Sequence, residues 1–128
     1  MVRACGLVLL LISLSCGAPR SRVGMTMPSP EGCFVRVWDE PNFSGASDYI
    51  NGPRVYPNLR DMPGARLWRD RIESAKAGPT ATVTVWSDEN FRGKAMRLAS
   101  DAEYPRLADA LTARIESATV ECARVSTQ

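Results

Sequence analysis

The sequence predicts an all-β domain assembled from two copies of one small unit, set behind an export signal. Three observations carry this reading. Valines alternate with polar or aromatic residues in two separate segments. The chain matches itself when slid by 48 residues, so that Trp38 falls on Trp86. A short apolar run follows Arg3 at the extreme N-terminus.

That N-terminal run comes first in chain order. Arg3 supplies a positive start, Leu7 to Leu14 an apolar stretch, and Ser15-Cys16-Gly17-Ala18 small residues for cleavage. The stretch is far shorter than the ~20 residues of a spanning helix, so residues 1–17 read as a removed signal. Leu14-Ser15-Cys16-Gly17 resembles a bacterial lipobox, in which the cysteine is lipidated and becomes the new N-terminus; Ser13 stands where that pattern prefers leucine. Cys16 is thus the expected lipidation site, holding the protein on a membrane through an N-terminal lipid, with an outer location favoured. The alternative is ordinary secretion with cleavage after Gly17 or Ala18. Residues 18–31 contain three prolines and no apolar periodicity, and read as a flexible tether.

The remaining residues fit one modest domain. Setting Arg3 aside leaves fifteen of the sixteen basic side chains against fourteen acidic ones. These charges are scattered, so nucleic acid is a poor partner expectation.

The repeat sets the domain's plan. Trp38-Asp39-Glu40-Pro41-Asn42-Phe43-Ser44-Gly45 falls on Trp86-Ser87-Asp88-Glu89-Asn90-Phe91-Arg92-Gly93, and Tyr56-Pro57-Asn58-Leu59 on Tyr104-Pro105-Arg106-Leu107. The offset then drops to 43, where Arg71-Ile72-Glu73-Ser74-Ala75 meets Arg114-Ile115-Glu116-Ser117-Ala118. A five-residue insertion near residues 62–66 of the first copy accounts for the change. Two copies of one supersecondary unit bury together what neither buries alone.

Within each copy, Val35 and Val37, like Val83 and Val85, share one face of a strand. Segments 46–50 and 94–98 are their hairpin partners. Gly45 and Gly93 stand where the chain needs φ > 0 or where an aromatic ring lies on the backbone. The segments around Pro57 and Pro105 are excluded from central strands and read as loops or edges. Residues 107–114 are too short for more than a turn or two of helix.

Aromatic-x-x-x-x-Phe-x-Gly, followed about thirty residues later by a polar-x-Ile-x-Ser signature, is similar to the βγ-crystallin Greek-key motif. The fold signature is carried by Trp38, Phe43, Gly45 and Ser74 in one copy, and by Trp86, Phe91, Gly93 and Ser117 in the other. The resemblance covers residues 32–124, with motif one at 32–79 and motif two at 80–124. It implies a two-sheet antiparallel Greek-key sandwich of about eight strands, each motif lending one strand to the other's sheet.

Catalytic chemistry is sparse. The chain has no histidine, no Gly-x-Ser-x-Gly elbow and no phosphate loop, and Asp39-Glu40 and Asp88-Glu89 sit in repeated turns where acids are solvated. An enzyme is not expected. Trp38, Phe43, Trp86 and Phe91 could form a sugar-stacking strip, but their repetition in the fold-defining motif argues for packing. Trp68, whose repeat mate is Leu111, reads as core.

Microbial proteins that the chain resembles often bind calcium, one site per motif, through a segment of the form Asn/Asp, Asn/Asp, any, any, Ser/Thr, Ser. Here the first segment is Arg69-Asp70-Arg71-Ile72-Glu73-Ser74 and the second Thr112-Ala113-Arg114-Ile115-Glu116-Ser117. The resemblance implies Asp70 and Glu73 as candidate calcium ligands, met by Asp88 or Glu89 from the other motif. Glu116, Thr112 and Ser117, met by Asp39 or Glu40, would form a poorer second site. Arg69 and Arg71 oppose a cation at the better-furnished site, so calcium binding is expected to be weak and asymmetric.

Cys33 and Cys122 are expected to form a disulfide. The compartment is oxidising, and the other two cysteines belong to the signal and the anchor. Cys33 shares strand parity with Val35 and Val37, and Cys122 with Ala118 and Val120, on first and last strands that the resemblance places in opposite sheets. The function implied is that of an exported, monomeric structural or binding domain. A second reading, an inhibitor of an extracellular protease, is supported by small secreted inhibitors of the same fold. Against it, neither cysteine closes the short loop that such an inhibitor uses as a brace.

Overall fold

The computed structural model describes residues 26–61 and 65–123. The signal, Cys16 and residues 18–25 of the tether lie outside the described residues. Eight strands follow in order: β1 (Phe34–Glu40), β2 (Ser44–Asn51), β3 (Arg54–Tyr56), β4 (Ser74–Ala77), β5 (Ala81–Asp88), β6 (Arg92–Leu98), β7 (Glu103–Tyr104) and β8 (Ser117–Cys122). Two short 3-10 helices, Leu59–Asp61 and Arg66–Trp68, fill the long connection of the first copy.

The strands form two antiparallel sheets of four, in the orders β2-β1-β4-β7 and β3-β8-β5-β6. Each sheet therefore ends in a strand from the other copy: β7 pairs with β4, and β3 with β8. Both borrowed strands lie at sheet edges beside Pro57 or Pro105, where a missing N–H harms no ladder. Between the sheets, Val35, Val37, Val83, Val85, Ile72 and Ile115 are buried. Trp68 joins this core, buried to 5% exposure. The interior gap among these side chains is about 10 Å³ and wholly apolar, which leaves no room for an internal ligand.

Each β-hairpin tip folds back over its own sheet. Asn42 and Phe43 both have φ of 58°, Asn90 and Phe91 have 59° and 61°, and Gly45 and Gly93 have 83° and 86°. Such backbone is uncommon for a phenylalanine, so something must hold it. The buried signature serines do. Ser74 Oγ accepts from Phe43 N at 3.0 Å and donates to Glu40 O at 2.6 Å; Ser117 Oγ accepts from Phe91 N at 3.0 Å and donates to Asp88 O at 2.6 Å. The folded-back rings pack edge-to-face on the tryptophans, Phe43 on Trp38 at 5.2 Å and Phe91 on Trp86 at 5.1 Å. The two glycines supply φ > 0, and a Cβ on either would strike the side chains of residues 39–40 or 87–88 rather than an aromatic ring.

Cys33 and Cys122 are bonded, with Cα atoms 5.5 Å apart and a separation of 89 positions in sequence. The expectation of a free tether up to residue 31 needs correction. Thr26 N donates to Asp48 Oδ1 at 2.8 Å, Asn51 Nδ2 to Met27 O at 2.8 Å, and Ser29 N to Asn51 Oδ1 at 2.9 Å. Residues 26–29 are thus fastened along β2. The cause is side-chain chemistry on β2, which compositional reading of the tether could not register.

Candidate functional site

The two segments singled out as cation sites, 69–74 and 112–117, run side by side. Asp70 N donates to Ile115 O, and Ala113 N to Ile72 O, both at 2.9 Å. Asp70 and Ala113 occupy matching positions and share left-handed backbone, with φ of 61° and 57°. An acidic or amide residue at this second position therefore has a conformational reason as well as a ligating one.

Side chains from both motifs meet around this strip. Arg69 Nη2 donates to Glu116 Oε1 at 2.9 Å and lies 3.7 Å from Glu89 Oε1. Asn58 Nδ2 also donates to Glu89, at 2.6 Å. Next to Arg69, an open cleft of about 400 Å³ is lined by Asp70, Asp88, Glu116, Lys94, Arg114 and Ser87 among others. Asp70 is exposed, yet partial desolvation in its loop, then the Glu116 carboxylate, raises its pKa above the usual carboxylate value; Arg69 and Arg60 pull the other way.

The expected ligand sets are therefore regrouped. Asp70 comes together with Glu116 and Asp88, whereas Glu73 does not line this cleft. The segments run antiparallel, so the fifth position of one lies near the second position of the other. Asp39 is engaged elsewhere: it accepts from Ala46 N at 2.9 Å and from Arg71 Nη2 at 3.1 Å. The Glu40 carbonyl is taken by Ser74.

This donor set does not fit calcium. The ion takes six to eight hard oxygens, and here a guanidinium stands among the carboxylates that would supply them. Among the described residues, no three or more His, Cys, Asp or Glu side chains are grouped so as to hold a metal ion. What the arrangement does instead is neutralise acids of motif two with a cation of motif one, across the motif boundary.

Sequence reasoning missed Asp48. It is buried to 5% exposure, accepts from Thr26 N and Tyr49 N at 2.8 Å each, and lies 3.5 Å from the Trp68 indole nitrogen. Its repeat mate is Met96, and that polar-for-apolar exchange was the available signal.

No protein-family model and no curated protein matches the chain. Solved structures do. One, described as bearing on the evolution of the eye lens βγ-crystallin domain fold, superposes with a TM-score of 0.63 at 22% identity, covering 84% of this chain and 96% of the other. A βγ-crystallin domain from Flavobacterium johnsoniae gives 0.60 at 18% identity, over 72% and 98% of the two chains. A third, from Clostridium beijerinckii, gives 0.59 at 23% identity, over 69% and 97%. At such identities the likeness shows the fold. The chain has the βγ-crystallin Greek-key fold, as the repeated motif implied.

Proposed function

We propose that this chain is an extracytoplasmic, lipid-anchored structural or binding domain of βγ-crystallin fold that is independent of calcium, with Arg69 serving where a bound cation would otherwise tie the motifs. The observation that carries the reading is Arg69 Nη2 at 2.9 Å from Glu116 and 3.7 Å from Glu89. A guanidinium there satisfies the same need for positive charge as a divalent ion, without depending on its concentration. The Cys33–Cys122 disulfide supports an oxidising compartment. The signal-like N-terminus ending at Cys16 supports export and anchoring. The domain acts without catalysis, as a fixed β-scaffold at a membrane face.

Two measurements test this. The melting temperature of the oxidised domain should be the same in excess chelator and in about ten millimolar calcium, well above the ~10⁻⁴–10⁻³ M range of extracellular calcium modules. A rise with calcium refutes independence. Separately, the wild type should enter the detergent phase on partitioning and Cys16→Ser should not; a wild type that stays aqueous refutes the anchor alone.

A further inference from the structure

The outer face of the first sheet carries side chains that the fold does not require. A single row crosses all four strands: Tyr49 on β2 pairs with Arg36 on β1, Arg36 with Lys76 on β4, and Lys76 with Glu103 on β7. The internal repeat provides its own control. The matching row of the second sheet is Arg97, Thr84, Thr119 and Val55, paired in the same registers. Plain threonines stand at the mates of Arg36 and Lys76, whereas here both cations lie over rings of the first hairpin tip, Arg36 over Trp38 at 4.8 Å and Lys76 over Phe43 at 4.4 Å.

The two cations face each other across neighbouring strands. Like charges directly opposite on neighbouring strands are destabilising. Lys76 has Glu103 at 3.5 Å, but among the described residues Arg36 has no carboxylate partner. Its guanidinium lies over Trp38 at 4.8 Å and Tyr49 at 5.3 Å. One amino group donates to Ser47 Oγ at a long 3.3 Å, and Nε is buried with no acceptor. A buried charged donor without an acceptor is unfavourable, a cost that Arg36 shares with Arg69, whose Nε is buried in the same way.

Beside this row is an open cleft of about 260 Å³, lined by Arg36, Lys76, Tyr49, Phe34, Asp101 and Glu103 among others. Phe34 and Tyr49 pack edge-to-face at 5.2 Å with planes 88° apart, so they form an aromatic corner. Gly78 lets the backbone of the cleft floor pack closely, since a Cβ there would strike the Gly32 carbonyl and press on the Phe34 ring. The volume lies just under the ~300–1,000 Å³ of ordinary ligand sites, which suits a ring and its substituents.

We propose that this face binds an acidic saccharide, a sugar chain bearing carboxylates, with one carboxylate on Arg36 and Lys76 and the adjoining ring against Phe34 and Tyr49. The planar guanidinium matches a carboxylate in a forked, two-bond contact. Aromatic faces take the apolar face of a sugar ring. Asp101 and Glu103 also line the cleft and limit it to a single anionic group at the two cations. This site is remote in kind from the Arg69 cluster, and the inference stands whichever way the calcium test falls.

Titration of the oxidised domain with trigalacturonate, followed by NMR or tryptophan fluorescence, tests it. Binding is expected, with maltotriose, a neutral trisaccharide, giving none. Arg36→Gln and Tyr49→Ala should each weaken binding by at least about tenfold, whereas Arg97→Gln on the opposite sheet leaves it unchanged. Arg36→Lys, which keeps charge and loses the fork, should also weaken it and guards against a variant that fails to fold. Absence of saturable binding at millimolar trigalacturonate overturns the proposal. So does equal binding of maltotriose, or retention of affinity in folded Arg36→Gln or Arg36→Lys.

Discussion

Replacing Arg69 by alanine removes the cation that joins the motifs. The bond to Glu116 is short at 2.9 Å, and the two side chains are only 19% and 23% exposed. A hydrogen bond between charged groups in such a setting contributes about 1.5–3 kcal/mol. The contact to Glu89 is 3.7 Å long with that partner 41% exposed, and adds no more than a few tenths. Removing the guanidinium also leaves Asp70, Asp88, Glu89 and Glu116 with less to offset them, so the expected loss is about 2 kcal/mol. For a domain of this size that lowers the melting temperature by about 10 °C. The second half of the experiment is more diagnostic. In Arg69→Ala, calcium at about ten millimolar should recover none of the loss, because no three acids among the described residues are grouped there so as to hold the ion. Differential scanning calorimetry of both proteins, with and without calcium, reads all four values. A loss below about 0.5 kcal/mol, within the range of an ordinary surface pair, would refute the role of Arg69. A variant that calcium restores would refute the misfit of these acids to the ion.

Three further outcomes are expected. Ser117→Ala leaves Phe91 N and Asp88 O without their partner and should destabilise by about 2–4 kcal/mol in urea denaturation, with Ser74→Ala close to it; a cost under about 1 kcal/mol would show that water replaces the hydroxyl. Asp70 holds its proton to higher pH in the folded state than its ordinary value of 3.8, so its contribution to stability falls as pH rises through the window from 3.8 to the raised value. Asp70→Asn should remove that fall, and stability–pH curves of the two proteins that run parallel there contradict it. Ala113→Gly relieves left-handed backbone and should stabilise by about 0.5–1 kcal/mol, net of glycine's extra unfolded-state freedom; a destabilised variant would mean that the alanine methyl is packed to advantage.

The sandwich was legible because its determinants are local and occur twice. Alternating valines, Phe-x-Gly at each tip and Ile-Glu-Ser in each return strand specify faces, turns and clamp without reference to the rest of the chain. The disulfide was legible from parity and compartment. The candidate site was legible only as a set of residue types. Asp70 and Glu73 are close in sequence, but antiparallel juxtaposition of the segments sends Asp70 to Glu116. Arg69 was readable as an unfavourable neighbour for calcium. That it bridges to the other motif depends on hairpin tips tied across the motif boundary, Asn42 N to Pro105 O and Asn90 N to Pro57 O. The row on the first sheet was hidden for a related reason: Tyr49, Arg36, Lys76 and Glu103 come from four strands, and only pairing registers align them.

The Cys33–Cys122 bond has a mechanical consequence. It joins the chain just before β1 to the last residue of β8. A pull applied to the chain on the outer side of these two residues passes from Cys33 through sulfur to Cys122. The loop of chain between them bears none of the tension. Under traction, the contacts of residues 26–29 along β2 peel first, and they act as a short slack that is spent before the load reaches the covalent link. The row on the first sheet and the cluster around Arg69 both lie inside the unloaded loop.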